Sequence, residues 1–337
     1  MKKASASSFK AVILAGGSGE RFWPLSTPER PKQFLRVFGG ASLIRQAVTR
    51  LDGLVTPDDV FVVTAKNLVA ATRKELPEVP RTNIVGEPMR RDTGAAVALG
   101  VGLASGAFDP VIGFFSSDQM VANPKAFRRV VAKAVALARR KAAIVTIGIK
   151  PNYPATCFGY ISPKTRAFVE KPDEKTAKKY VKAGYLWNAG MFIARASTFR
   201  NAFAAHAPAL ECLARPSANR EPRTTNHLSA LYESLPRISF DYAVMEHAKN
   251  VEVVPGDFGW DDVGSFAAFD KYFPHDSRGN VREGPCTVVE ADGNICVARS
   301  ARISLLGVKN LVVVTTPDAV LVADKSHISE MKKLFKT

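Results

Sequence analysis

KAVILAGGSGERFWPLSTPERPKQF, Lys10 to Phe34, is the stretch on which the fold turns. Lys10–Leu14 reads as a buried strand. The glycines after it make a turn of bare backbone, and Arg21 and Lys32 bring positive charge close by. Without a Cβ, Gly16, Gly17 and Gly19 let main-chain N–H groups approach an anion, so a phosphate chain is the ligand this segment suggests. Two familiar phosphate motifs fail the test. Gly17-Ser18-Gly19 meets Phe22 where a dinucleotide fingerprint needs its third glycine, and no second glycine precedes Lys and Ser/Thr as in a Walker loop.

Outward from that turn the same texture repeats. Val60–Thr64, Val111–Phe115 and Ile144–Ile149 are short runs apolar on both faces, separated by helical stretches such as Leu43–Leu51. Such runs predict an α/β fold: a Rossmann-like, mainly parallel sheet flanked by helices, with ligands beyond the carboxyl ends of the strands. From about Tyr272 the pattern changes to turn residues and short β-rich runs, Cys286–Glu290, Asn294–Ala298, Leu311–Thr315 and Ala319–Ala323, closed by a helix over Ile328–Phe335. Two domains are expected, 1–272 and a small β domain, coiled as a solenoid, at 273–337. The stretch between Pro208 and Pro236 has no readable pattern.

A chain of 337 residues buries a large core. Its start, MKKASASSFK, is too polar for a signal peptide, and Ala11–Ala15 is too short for a membrane span. Cys157, Cys212, Cys286 and Cys296 form no C-x-x-C pair, as expected of reduced thiols in a cytoplasmic protein. The net charge of +16 suits either nucleic acid or small polyanions. Much of it lies on PKAFRRVVAKAVALARRK, where Phe127, Val130, Val131, Ala134 and Val135 recur at helical spacing and the cations form the other face. No aromatic residues interleave with those cations and no nucleic-acid motif appears, so no nucleic-acid partner is expected.

Five separated segments carry candidate chemistry. In the first, Arg21 and Lys32 are suited to triphosphate oxygens. In the second, GEPMRRDTGAA, Arg91 and Thr93 precede a small-residue helix, Gly94–Leu103. In the third, FFSSDQM, Asp118 stands just past a strand, where a carboxylate suits Mg²⁺. In the fourth, Glu170-Lys171 sets an acceptor beside a cation, and Asn188 in WNAGMF adds a hydroxyl contact. In the fifth, FGWDDVGSF, the pair Asp261-Asp262 repels itself unless a cation shares the site. Each alone has a plain structural reading: surface cations, a helix cap, a solvated acidic turn.

Taken in order they resemble a known family. L-A-G-G-S-G-E-R-F-W-P-L-S…P-K-Q-F is similar to the signature of the sugar-1-phosphate nucleotidyltransferases. E-P-M-R-R-D-T, S-S-D, F-G-Y-I, F-V-E-K-P, W-N-A-G-M-F, S-F-D-Y-A-V-M-E and G-W-D-D-V-G-S follow in the family's order. The set most resembles the mannose-1-phosphate guanylyltransferases over Ala11 to about Phe269, and the tail resembles their small, left-handed β-helix-like C-terminal domain. Departures at Asp92-Thr93-Gly94-Ala95, Ser117-Asp118-Gln119 and Thr156-Cys157-Phe158 touch the base and sugar pockets.

The resemblance implies a cytoplasmic, homodimeric enzyme that joins GTP to mannose 1-phosphate with Mg²⁺, giving GDP-mannose and pyrophosphate. It implies that Leu14, Ala15, Gly16, Gly17, Gly19, Arg21, Lys32, Glu87, Arg91 and Thr93 bind the nucleotide. Gly159, Glu170, Lys171 and Asn188 would bind the sugar phosphate, and Asp118 and Asp262 the metal; Arg21, Lys32, Asp118, Lys171 and Asp262 would carry the chemistry. The alternatives are another pair of substrates, such as dTTP or UTP with glucose 1-phosphate, and a non-catalytic sugar-nucleotide-binding regulator.

Overall fold

The computed structural model describes residues 9–17, 19–106, 108–216 and 225–335. The polar start of the chain and part of the 208–236 stretch lie outside them. The chain forms two compact units that interleave in sequence. One takes the residues up to Gly16, Arg45–Ser117 and Val121–Trp260; the other takes Gly17–Ile44, Asp118–Met120 and the residues from Asp261 onward.

The first unit is built on a sheet of β1 (Phe9–Ala15), β2 (Val60–Ala65), β3 (Ile84–Glu87), β4 (Val111–Ser116), β5 (Ile144–Ile149), β6 (Leu186–Arg195) and β7 (Val251–Gly256). Their order is β7-β5-β6-β4-β1-β2-β3. β1 runs parallel to β2 and β4, β2 to β3, and β5 to β7, while β6 is antiparallel to both its neighbours. The sheet is therefore mainly parallel, as the doubly apolar runs predict. Strand order reverses at β1, and Leu14 is in register with Ser116 and Ala15 with Thr64. That puts Gly16 and Ser117 at the switch point, where open α/β sheets hold ligands.

Helix α1 (Asp92–Ala104) is buried almost all round, because its small residues let neighbouring elements close in on every side. A Cβ on Gly100 would stand 2.8 Å from Val12 of β1 and 2.7 Å from Phe114 of β4. Helix α2 (Pro124–Arg140) is the opposite case: Phe127, Val131, Ala134 and Val135 are buried and its cations face outward. Of the strands, β6 is the one least like its neighbours in sequence, since Asn188 and Gly190 interrupt its apolar pattern. Among the described residues, no helix is long and apolar enough to cross a membrane. The unassigned stretch after Pro208 contributes two helices, Pro208–Ala214 and Thr225–Ser234.

The second unit has two parts. Its tail stacks β8 (Val281–Glu283), β10 (Ile295–Ala298) and β12 (Leu311–Thr315) in parallel, with β9 (Cys286–Val289) parallel to β11 (Ile303–Leu306) and β13 (Val320–Asp324) antiparallel on β12. Successive coils lock at buried asparagines. Asn294 donates main-chain and side-chain N–H to Asn280 Oδ1, both at 2.9 Å, and Leu311 N–H donates to Asn294 Oδ1 at 2.9 Å. This is the expected β-helix-like coil. The closing helix starts earlier than expected, at Lys325, and is wound as a 3-10 helix to Phe335. Three residues per turn put Ile328 and Met331 on one buried face. The other part is the loop Gly17–Ile44, anchored by aromatic packing of Phe22 and Phe38 against Phe266 and Phe269.

Candidate functional site

Within the second unit, three sequence-distant segments meet at Lys32. The residue is buried, 5% exposed, and its Nζ lies 5.9 Å from the centre of the Phe22 ring. Nζ donates to Asp118 Oδ2 at 3.0 Å and to the Asp262 carbonyl at 2.7 Å. Gly19 makes this possible. It sits at φ +67°, and a Cβ there would lie 2.3 Å from Lys32 N, so only glycine lets the turn close on the lysine. Arg21 and Asp262 flank Gly264 from either side, each 3.3 Å from where its Cβ would be.

The two aspartates of FGWDDVGSF do different work. Asp261 Oδ1 accepts from Val263 N–H at 2.6 Å and Oδ2 pairs with Lys271, so it shapes the turn. Val263 is held at φ +47°, a costly conformation for a β-branched residue. Asp262 is thereby directed at Lys32 and Arg21. Burial raises its carboxyl pKa, Lys32 opposes that rise, and the nearby Asp118 adds to it. Among the described residues no three His, Cys, Asp or Glu side chains gather as a closed metal site. Two carboxylates fit an ion such as Mg²⁺ that takes its remaining ligands from phosphates and water.

In the first unit, a second cluster gathers four predicted residues. Gly159 accepts the Asn188 main-chain N–H at 2.8 Å, and a Cβ on Gly159 would fall 2.5 Å from Glu170 Oε2. Lys171 Nζ pairs with Glu170 Oε1 at 2.8 Å, on a backbone held at φ +43°. The Asn188 amide accepts from Thr146 Oγ1 at 2.8 Å and donates to Asp241 Oδ1 at 2.9 Å. Burial pushes the Asp241 carboxyl up to about 7, and the charge of Glu170 adds to this. For Lys171, partial burial acts to lower the pKa, but the hydrogen bond and charge of Glu170 outweigh it and the net shift is upward. Asp241 is absent from the predicted set. Its motif is recognisable in the sequence, but nothing local shows that it faces Asn188.

The third cluster, also in the first unit, lies at the carboxyl ends of β1 and β3. Glu87 Oε2 is 3.4 Å from where a Cβ of Gly16 would be, and Oε1 accepts from Tyr232 Oη at 3.2 Å. Leu14 and Ala15 hold the adjoining backbone, their carbonyls accepting from Ser117 N–H and Thr64 Oγ1 at 3.0 Å each. Arg91 donates to the carbonyls of Tyr232 and Glu233 at 2.6 and 2.8 Å. Thr93 Oγ1 accepts from Phe240 N–H at 3.0 Å. These two residues thus fasten the 232–240 segment to the start of α1.

Burial pushes Glu87 up to about 7, against the Tyr232 hydrogen bond, with Asp92 adding to the rise. A carboxyl raised on folding stabilises fully below its unfolded value of about 4.5, and that stability is lost as pH rises through about 7. The loss attributable to Glu87 is on the order of 3 kcal/mol between about pH 4 and pH 8. Asp241 contributes in the same direction. Glu87→Gln is therefore expected to reduce the decline, which urea unfolding at several pH values would measure. An unchanged slope would mean that Glu87 ionises like a solvated side chain.

The model of the family described as nucleotidyl transferase covers residues 10–278, and that of the MannoseP isomerase/GMP-like beta-helix domain covers 284–337. The chain is 34% identical to a mannose-1-phosphate guanylyltransferase of Escherichia coli K12, over 96% of this chain and 72% of that protein. It is 35% identical to mannose-1-phosphate guanylyltransferase RfbM of Salmonella typhimurium LT2, over 97% and 72%. The crystal structure of mannose-1-phosphate geranyltransferase from Thermus thermophilus superposes with a TM-score of 0.86 at 33% identity, covering 98% of each chain.

Proposed function

The chain belongs to the nucleotidyl transferase family, as a relative of the mannose-1-phosphate guanylyltransferases, and from that premise we propose that it transfers GMP from GTP to mannose 1-phosphate, releasing pyrophosphate. The observation that carries this reading is the meeting of Lys32 with Asp118 and Asp262 beside Arg21. Such a mixture of cations and carboxylates suits a metal-bound polyphosphate.

The sugar-phosphate oxygen that attacks the α-phosphorus is already anionic near neutral pH, so no general base is needed. The obstacle is repulsion between a triphosphate of about −4 and a sugar phosphate of about −2. Charge neutralisation and in-line positioning must then supply the catalysis. Lys32 and Arg21 neutralise the triphosphate and the charge growing on the leaving pyrophosphate, with Gly16, Gly17 and Gly19 offering main-chain N–H groups. Asp118 and Asp262 are the residues that would hold Mg²⁺, which would supply positive charge to offset that of the phosphates. Lys171 takes the sugar phosphate, and Glu170, Asn188 and Gly159 take the sugar. Glu87 suits guanine: an ionised carboxylate accepts from the adjacent N1–H and N2–H of that base, an edge that uracil and thymine lack. Cys157, Cys212, Cys286 and Cys296, none of them in a disulfide, suit a cytoplasmic setting.

The test is pyrophosphate release from GTP, dTTP, UTP and ATP, each paired with mannose 1-phosphate and glucose 1-phosphate, with and without Mg²⁺. The expected result is the highest kcat/KM for GTP with mannose 1-phosphate, dependent on the metal. Preference for dTTP or UTP with glucose 1-phosphate would move the substrate assignment. Silence with every pair would leave a binding protein.

A further inference from the structure

Asp241 and Glu246, at the ends of the run DYAVME, are five residues apart. On an α-helix that spacing is about 140° of rotation and the side chains diverge. Here Asp241–Met245 winds as a π turn, closed by the Glu246 N–H donating to the Asp241 carbonyl at 3.1 Å. The wider turn takes in an extra residue, so positions 241 and 246 come round to the same side. Both side chains reach the same cluster: Asp241 Oδ1 accepts from Asn188 Nδ2 at 2.9 Å, and Glu246 Oε1 accepts from the Glu170 N–H at 2.9 Å.

We propose that Asp241 and Glu246 are positioning residues for the sugar-phosphate cluster, set side by side by the π turn. This rests on the assignment of Glu170, Lys171 and Asn188 to mannose 1-phosphate. Asp241 fixes which way the Asn188 amide points. Asn188 Oδ1 accepts from Thr146 Oγ1 and from Gly190 N–H, at 2.8 and 3.2 Å, and one Nδ2 hydrogen goes to Asp241. The second Nδ2 hydrogen is the donor Asn188 offers to a sugar hydroxyl. Glu246 acts on the main chain. It grips the N–H of Glu170, the residue before Lys171, whose φ of +43° is strained in a residue that carries a side chain. That bend sets the Lys171 ammonium 2.8 Å from Glu170 Oε1. A π turn at a ligand site is where such turns concentrate, because it re-aims side chains that an unbroken helix would spread.

The test uses the whole chain carrying Glu246→Ala, Glu246→Gln, Asp241→Ala or Asp241→Asn. Steady-state kinetics is read for each substrate, and mannose 1-phosphate binding is read by calorimetry. Both alanine variants are expected to raise KM and Kd for mannose 1-phosphate by about tenfold or more, with KM for GTP within about twofold. The amide variants keep an acceptor oxygen for the same donor and are expected to recover most of the loss. Equal changes for both substrates would reveal a merely structural role and overturn the proposal. So would unaltered sugar-phosphate affinity in the alanine variants, or no recovery in the amide variants. If the unsubstituted chain binds mannose 1-phosphate but releases no pyrophosphate, the transferase reading fails while the affinity comparison still decides the positioning role. Absence of binding by the unsubstituted chain removes both.

Discussion

Lys32→Ala is expected to lower kcat with GTP and mannose 1-phosphate by about a hundredfold or more, in a protein that still folds. The ammonium is buried and spans an Asp118 carboxylate oxygen and the Asp262 carbonyl. In the proposed reaction it neutralises charge on the leaving pyrophosphate. The substitution removes the donor that both oxygens share, at a cost of roughly 1–3 kcal/mol for a buried group. A large domain tolerates that loss. Because ammonium and divalent ion seek the same carboxylate, Mg²⁺ should raise the melting temperature of the variant more than that of the wild type. Pyrophosphate release and thermal unfolding with and without Mg²⁺ check both statements. Turnover near the wild-type rate would take Lys32 out of the reaction.

Asp262→Asn should be as damaging to activity for a different reason. Asparagine has the same shape, and the bond that Lys32 makes at this residue goes to the main-chain carbonyl, which the substitution does not touch. The turn itself is held by Asp261 through Val263 N–H and Lys271. The fold should thus survive while one of the two carboxylates proposed to hold a divalent ion is lost. A fall in kcat of about a hundredfold to a thousandfold is expected, with loss of any Mg²⁺-dependent rise in melting temperature. Asp261→Asn is the informative contrast. It should cost stability more than rate, because Asp261 bonds a backbone N–H and a surface lysine. Equal kinetic losses in the two variants would mean that the division of roles is wrong.

Much of the first unit is legible from local pattern. β1, β2, β4 and β5 are apolar on both faces because helices cover both sides of the sheet, and burial of that kind writes itself into a continuous run of residues. Asp118 follows β4 directly, so its candidacy also follows from order along the chain. β6 is less legible: Asn188 and Gly190 look like turn residues, yet the strand is held by antiparallel neighbours on both sides. The small-residue helix α1 shows the same limit, since Gly100 is required only by the approach of β1 and β4, and Gly94 and Gly102 only by the approach of Ile238 and Leu213.

The mainly parallel sheet, the small β tail and the candidate cations and carboxylates follow from residue type and spacing in the amino-acid sequence, and the family follows from the resemblance of its motifs taken in order. Tertiary structure alone decided that Asp261 bonds Val263 N–H and Lys271, that Arg91 and Thr93 bond the main chain of the 232–240 segment, and that Asp241 joins Asn188. The reason is physical. A backbone bend at Val263 or a π turn at Asp241 costs free energy locally and persists only because bonds from distant segments offset it, so no local pattern of residues encodes which way those side chains point.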